Sequence, residues 1–218
     1  MIVRLFRRSL VAAGASALML VGLSGAPALA QNQDVTVDTD ELMAEGPLPE
    51  MALGEEDAPV TIVEYASMTC PHCATFHEAT YPDLKEKYID TGKVRFVFRE
   101  FPLDPLAAAG FMLARCAPEE QYFDMVDLLF EKQRQWAYSQ DPVTELLNLS
   151  KQAGFTQESF EACLTNQELL DGVNEVKDRG ARDFSVTSTP TFFVNGRMVR
   201  GARGIEEFSE IIDSELGS

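Results

Sequence analysis

The feature that most narrows the folds open to this chain is a pair of cysteines three positions apart, Cys70-Pro71-His72-Cys73, set where a strand pattern gives way to a helical one. Upstream, Val60 to Ala66 alternates: Val60, Ile62, Glu64 and Ala66 share one face, and Thr61, Val63 and Tyr65 the other. A carboxylate therefore interrupts an apolar face. Downstream, Phe76, Ala79, Thr80 and Leu84 recur at helical spacing through Tyr88, with Pro82 expected to kink the helix rather than end it. The first cysteine thus opens a helix, against unsatisfied backbone N–H groups and the positive end of the helix dipole, which favour thiolate over thiol. Pro71 presets the helical φ at a position that needs no N–H, and His72 can add a donor or partial positive charge beside the sulfur.

These positions predict redox chemistry, with Cys70 the exposed, low-pKa nucleophile and Cys73 the shielded resolving thiol. A thiol brought from about 8.5 to about 4 gains roughly 4 kcal/mol at pH 7, or about 90 mV for two electrons, in favour of the reduced form. Its disulfide becomes the stronger oxidant. Competing readings are weaker. Haem attachment needs histidine directly after the second cysteine, where Ala74 stands. Zinc needs more ligands, and although His77 lies one turn on, Cys116 and Cys163 form no second close pair. A structural bridge across so tight a loop is uncommon. Glu64, six residues before Cys70, is placed to exchange a proton with Cys73; the bland alternative is a salt-bridged strand residue.

Further along, Val94 to Phe98 reads as a second strand, and from Leu106 to about Phe184 the signals are helical. Strand character returns at Thr191 to Val194, and Asn195-Gly196 is a strong hairpin signal leading into Arg197 to Arg200. A closing amphipathic helix carries Ile205, Phe208, Ile211, Ile212 and Leu216. The order of elements predicts an α/β, thioredoxin-like fold with an inserted helical domain: residues 53–104 and 178–218 form the two parts of the sheet domain, and residues 105–177 the insertion.

The first thirty residues have the form of a secretory signal: Arg4, Arg7 and Arg8, an apolar run from Leu10 to Leu23, then Ala28-Leu29-Ala30. Residues 31–52 are acidic and poor in aromatics, and are expected to form a mobile leader. Removing the signal takes away three of the eighteen basic residues and none of the thirty-five acidic ones, leaving a net charge of −20. Such a surface repels nucleic acid and anionic lipid, and no stable membrane insertion is expected. Export places all four cysteines where disulfides persist.

Taken together, these stretches resemble the DsbA family of thiol:disulfide oxidoreductases, and more narrowly its alphaproteobacterial members. The resemblance rests on Asp57-Ala58-Pro59-Val60-Thr61-Ile62-Val63-Glu64-Tyr65, Cys70-Pro71-His72-Cys73, Phe98-Arg99-Glu100-Phe101-Pro102 and Thr189-Pro190-Thr191-Phe192-Phe193-Val194-Asn195-Gly196. It implies periplasmic oxidase activity on newly exported, cysteine-containing proteins and re-oxidation by a membrane quinone-linked partner. No cofactor and no metal is expected. It also implies that Thr189-Pro190 is cis and faces the active site, whereas cis is found at only about 5% of X-Pro bonds. Thr189 would then offer its backbone to an extended client peptide. A second cysteine pair in the helical insertion resembles alphaproteobacterial relatives, so Cys116 and Cys163 are expected to be bonded, the alternative being two separate buried thiols. Two other functions compete: a disulfide isomerase or reductase of the same superfamily, assembled through its leader, and a metal carrier using the same cysteines without turnover.

Overall fold

The computed structural model describes residues 35–217; the expected signal segment and the first leader residues lie outside them. Five strands form one sheet in the order β1-β3-β2-β4-β5. They are β1 (Met51–Leu53), β2 (Val60–Ala66), β3 (Val94–Glu100), β4 (Thr191–Val194) and β5 (Arg197–Arg200). Strands β2 and β3 run parallel, in register from Val60 opposite Val94 to Ala66 opposite Glu100, and the other pairs are antiparallel. Between β4 and β5, Asn195 and Gly196 both take positive φ, 46° and 83°, the backbone that a two-residue hairpin requires.

The alternation of β2 divides the core in two. Val60, Ile62 and Ala66 face one apolar cluster with Phe96, Phe98 and Phe192, while Val63 and Tyr65 face another with Val97, Phe193 and Met198. Helices cover both faces. On the first lie α2 (Pro71–Ala79), α3 (Tyr81–Leu84) and the closing α10 (Ile205–Leu216), together with the insertion helices α4 (Pro105–Cys116), α5 (Tyr122–Glu131), α6 (Gln133–Trp136), α7 (Pro142–Gln152) and α8 (Gln157–Leu164). Helix α9 (Gln167–Asp183) serves both clusters, with Val173 in the first and Val176 in the second. Its approach to the sheet requires glycine at position 180, where a Cβ would stand 2.6 Å from the Tyr65 ring. The insertion boundary expected at residue 177 therefore falls inside a continuous helix, because one apolar stripe runs through it.

Two local expectations differ from the structure. The helix after the cysteine pair is interrupted, not merely kinked: α2 ends at Ala79, Thr80 intervenes, and α3 begins at Tyr81 with Pro82 in its first turn, where the missing N–H costs nothing. A π-helical turn, Lys85–Ile89, completes the segment. The leader, expected to be mobile, is packed against the second sheet face from residue 35 onward. Val35 accepts a hydrogen bond from the Met198 N–H (2.8 Å), and Leu42, in the short helix α1 (Thr39–Met43), is 1% exposed. Arg179 of α9 donates to the carbonyls of Glu41, Ala44 and Glu45, capping that helix. Acidic composition masked a few apolar residues at docking positions.

Cys116 and Cys163 are joined in a disulfide that ties α4 to α8, with a Cα–Cα distance of 6.1 Å across 47 positions. In the chain-entropy model a loop of this length stabilises the fold by roughly 4 kcal/mol.

The packed leader carries a stability prediction. Leu42→Ala is expected to lower the unfolding free energy by about 2–4 kcal/mol in denaturant titration, the cost of emptying a closed apolar site. A leader detached from the domain would give no change.

Candidate active site

The parallel β2–β3 pair and the start of α2 bring the cysteine pair to the carboxyl end of the sheet. Cys70 is the N-cap residue of α2 with extended backbone (φ −78°, ψ 119°), and Pro71 occupies the first turn. Both cysteines are free thiols, Cys70 5% exposed and Cys73 fully buried. Opposite them, the Thr189-Pro190 peptide is cis, and the Cys70 thiol donates to the Thr189 carbonyl at 3.3 Å.

The two sulfurs are driven apart electrostatically. Cys70 is brought down to about 5, chiefly by a hydrogen bond from the Cys73 thiol, against the opposing effect of burial, and further by the Thr189 side chain and the backbone N–H groups of Cys73 and His72. Cys73 is pushed well up by burial, by its hydrogen bond to Cys70 and by the nearby Glu64 charge. One thiol is an anion at neutral pH and the other keeps its proton. His72 itself is exposed, and what it supplies to the Cys70 sulfur is its backbone N–H.

Glu64 is fully buried on the face that carries the cysteines. Its Oε2 lies 3.0 Å from His77 Nε2, while its Oε1 has no hydrogen-bond partner. Burial raises its pKa and the His77 charge opposes that rise. His77 is pulled down by burial but carried up to about 9 by Glu64 and Asp127, so the ring is charged at neutral pH. The sequence offered His77 only as a zinc ligand; among the described residues no three His, Cys, Asp or Glu side chains converge to hold a metal.

The helical insertion holds the loop that precedes Cys70. Gln133 of α6, 2% exposed, donates through Nε2 to the carbonyls of Met68 (2.8 Å) and Cys70 (2.9 Å). Thr69 donates to Asp104 at 2.6 Å, and Met68 lies against Gly110 of α4, where a Cβ would meet it at 3.1 Å. The spacing of His77, four residues after Cys73, is the signal that would have drawn it into the site. Gln133, sixty-three residues from Cys70, carried no local signal.

The chain matches the family model described as thioredoxin over residues 48–214. The crystal structure of Wolbachia pipientis alpha-DsbA1 superposes with a TM-score of 0.75 at 32% identity, covering 82% of this chain and 96% of that one. This chain belongs to the DsbA-type branch of the thioredoxin family. The disulfide bond formation protein D of Bacillus subtilis is 30% identical over 174 residues, 75% of this chain and 76% of its own length. Relatives named as protein-disulfide oxidoreductases include one from Rickettsia conorii, 34% identical over 168 residues. That match spans 77% of this chain and 60% of the Rickettsia protein.

The depressed Cys70 has a signed consequence. Its folded-state value lies below that of an unfolded thiol, so it stabilises the reduced form at neutral and higher pH, and that stability is lost as pH falls through about 5. The disulfide form gains nothing from it, so at pH 7 the potential rises by up to about 60 mV, less than the 90 mV expected from a deeper depression. The reduction potential is expected to fall by about 59 mV per pH unit below pH 5 and about 30 mV per unit above it, as one of the two protons ceases to bind. A single slope across this range would contradict the thiolate. His72→Pro removes an N–H that His72→Ala keeps, so the proline variant is expected to have the higher Cys70 pKa and the lower potential of the two.

Proposed function

We propose that this chain is a periplasmic disulfide oxidase, exported by the segment at residues 1–30, that donates the Cys70–Cys73 disulfide to newly exported proteins. The observation that carries the reading is the split between the two sulfurs, Cys70 brought down to about 5 and Cys73 pushed well up. A disulfide is a strong oxidant when its reduced form is stabilised, and the site stabilises one thiolate with several donors.

A client thiolate attacks Cys70 Sγ, the Cys70–Cys73 bond breaks, and the electron pair leaves on Cys73. A second client thiolate then attacks the client sulfur of the mixed disulfide and expels Cys70 as its stable anion. The client is oxidised and the cysteine pair reduced by two electrons. The leaving Cys73 thiolate is unstable in its buried site and takes a proton through Glu64, the buried carboxyl group that lies 3.0 Å from the charged His77 ring. The Thr189 backbone beside Cys70 suits pairing with an extended client, which tolerates many sequences. A membrane quinone-linked protein then takes the two electrons back. The packed leader favours this reading over an isomerase assembled through residues 31–52.

The test is the reduction potential with a client refolding assay. The potential is expected above the roughly −220 to −260 mV of a glutathione pool, with rapid oxidation of a reduced client. A potential below that range, or shuffling of a scrambled client without net oxidation, would point to a reductase or isomerase. Glu64→Gln is expected to slow intramolecular attack by Cys73 on a trapped client mixed disulfide by at least about tenfold. An unaltered rate would remove Glu64 from the proton path.

A further inference from the structure

A seam on the surface follows the boundary between α2–α3 and the insertion helices α5–α6. It begins beside the redox centre as a groove of about 400 Å³, with Pro71, Ala74 and Thr75 on one side and Gln133, Arg134 and Tyr138 on the other. Glu78 lines that groove and also the next, of about 380 Å³. Tyr81, Lys85 and Asp127 are shared in turn by the second groove and a third, of about 590 Å³, which takes in the whole of β1 and the acidic end of the 3-10 turn Glu119–Gln121. Strand β1 stands at the edge of the sheet, with no strand beyond it among the described residues. Shared walls therefore join the cysteine helix to a free sheet edge.

Two features of the seam are left unsatisfied by the chain itself. Seven carboxylates line it, whereas apart from buried His77 its basic side chains are Arg134 and Lys85, and Lys85 is engaged by Asp90 at 2.6 Å. Glu78, Glu119, Glu120 and Asp124 are exposed and have no ion-pair partner among the described residues. The second feature is Tyr81, 3% exposed and in the wall of two of the grooves, whose hydroxyl has no hydrogen-bond partner. A buried hydroxyl left so costs free energy that an incoming acceptor restores. Half-buried Met51, Leu53 and Phe123 add an apolar floor at the far end.

We propose that this seam is a docking track for an extended, lysine- or arginine-bearing segment of the client whose cysteine is bonded to Cys70. The inference rests on the client-oxidising role given above and names a property of the clients it favours. A segment that pairs with Thr189 on one side of Cys70 leaves over Pro71 on the other, into the first groove. From Pro71 to Glu78 the helix rises about 10 Å, which an extended chain covers in about three residues. Basic side chains roughly three to eight residues from the client cysteine then pass over Glu78 and on to Glu119, Glu120 and Asp124. The Tyr81 hydroxyl donates to a backbone carbonyl of the segment, and the free edge of β1 offers it main-chain pairing, so the track selects for charge and extension rather than for one sequence. A second copy of this chain is a poor occupant, because it sets the same carboxylates against each other.

The experiment uses the oxidised full mature chain and two dithiol peptides that differ only in carrying lysines or glutamines roughly three to eight residues from the attacking cysteine. The lysine peptide is expected to be oxidised at least about fivefold faster at low salt, with the gap closing by about 0.5 M salt. Glu119→Gln, Glu120→Gln and Asp124→Asn together are expected to remove most of the gap and to leave the glutamine peptide's rate unchanged. Glu168→Gln, Asp178→Asn and Glu210→Gln take the same charge from exposed positions on α9 and α10 and are expected to keep the gap. A second measurement does not depend on the direction of electron flow. The lysine peptide is held on Cys70 as a mixed disulfide in Cys73→Ser, and a carbodiimide joins its lysines to the carboxylates beside them; mass mapping is expected to find the links at Glu78, Glu119, Glu120 or Asp124.

Equal rates for the two peptides overturn the track, as does a gap that the α9 and α10 substitutions close as fully as the seam substitutions do. A tethered peptide linked only to carboxylates outside the seam also overturns it. If the same peptide with serine in place of cysteine labels the seam equally well, the occupant is a separate basic partner and the client assignment falls. If the tethered peptide marks the seam while neither dithiol peptide is oxidised, the docking track stands and the oxidase reading falls.

Discussion

Everything at this site follows from keeping a sulfur anion at the edge of an apolar core. A thiolate there has lost much of its hydration, and burial alone raises its pKa. The fold has to replace water with fixed donors, and it does so from two segments distant in the chain. The first turn of α2 brings the N–H groups of residues 72 and 73 together with the Cys73 thiol, and the cis Thr189-Pro190 turn sets Thr189 beside them. Because β2 lies between β3 and β4, the loop after β2 and the turn before β4 meet at one end of the sheet.

The insertion is as much a part of the redox centre as the sheet. Gln133 holds two carbonyls of the segment Met68 to Cys70, and Asp104, the N-cap of α4, also binds Thr69. A helix N-terminus favours an anion only while its geometry is kept, since the effect fades beyond the first turn. The helical insertion therefore supports the chemistry by fixing the backbone on which the sulfur sits, and within that insertion the Cys116–Cys163 disulfide ties α4 to α8.

Period-two and period-3.6 patterns made most of the fold legible. The strands at Val60–Ala66, Thr191–Val194 and Arg197–Arg200 and the helix from Ile205 stand where alternation and helical spacing place them. Those patterns record which face is buried, and on β2 and β4 burial is nearly complete. The cysteine pair and Glu64 were legible for the same reason, as chemistry set on a patterned face. The leader was misjudged because docking of Leu42 and Val35 depends on partners in β5 and α9, which no local window contains. Gln133 was invisible on the same ground. His77 was in view only as a zinc ligand argued against, and was given no role of its own, since its partner Glu64 comes from another element.

That last case shows how two registers act together. Glu64 is two residues before the end of β2, on the face it shares with Ala66, and His77 is one helical turn past Cys73 on the buried side of α2. Slide the strand by one residue and the carboxylate turns to the opposite core, leaving a buried imidazolium unpaired. Slide the helix by one and the imidazole leaves Glu64. Hydrophobic burial fixes each register for its own reasons, through Ile62 and Ala66 on the strand and Phe76 on the helix. The pair needs no strength of its own to be well placed.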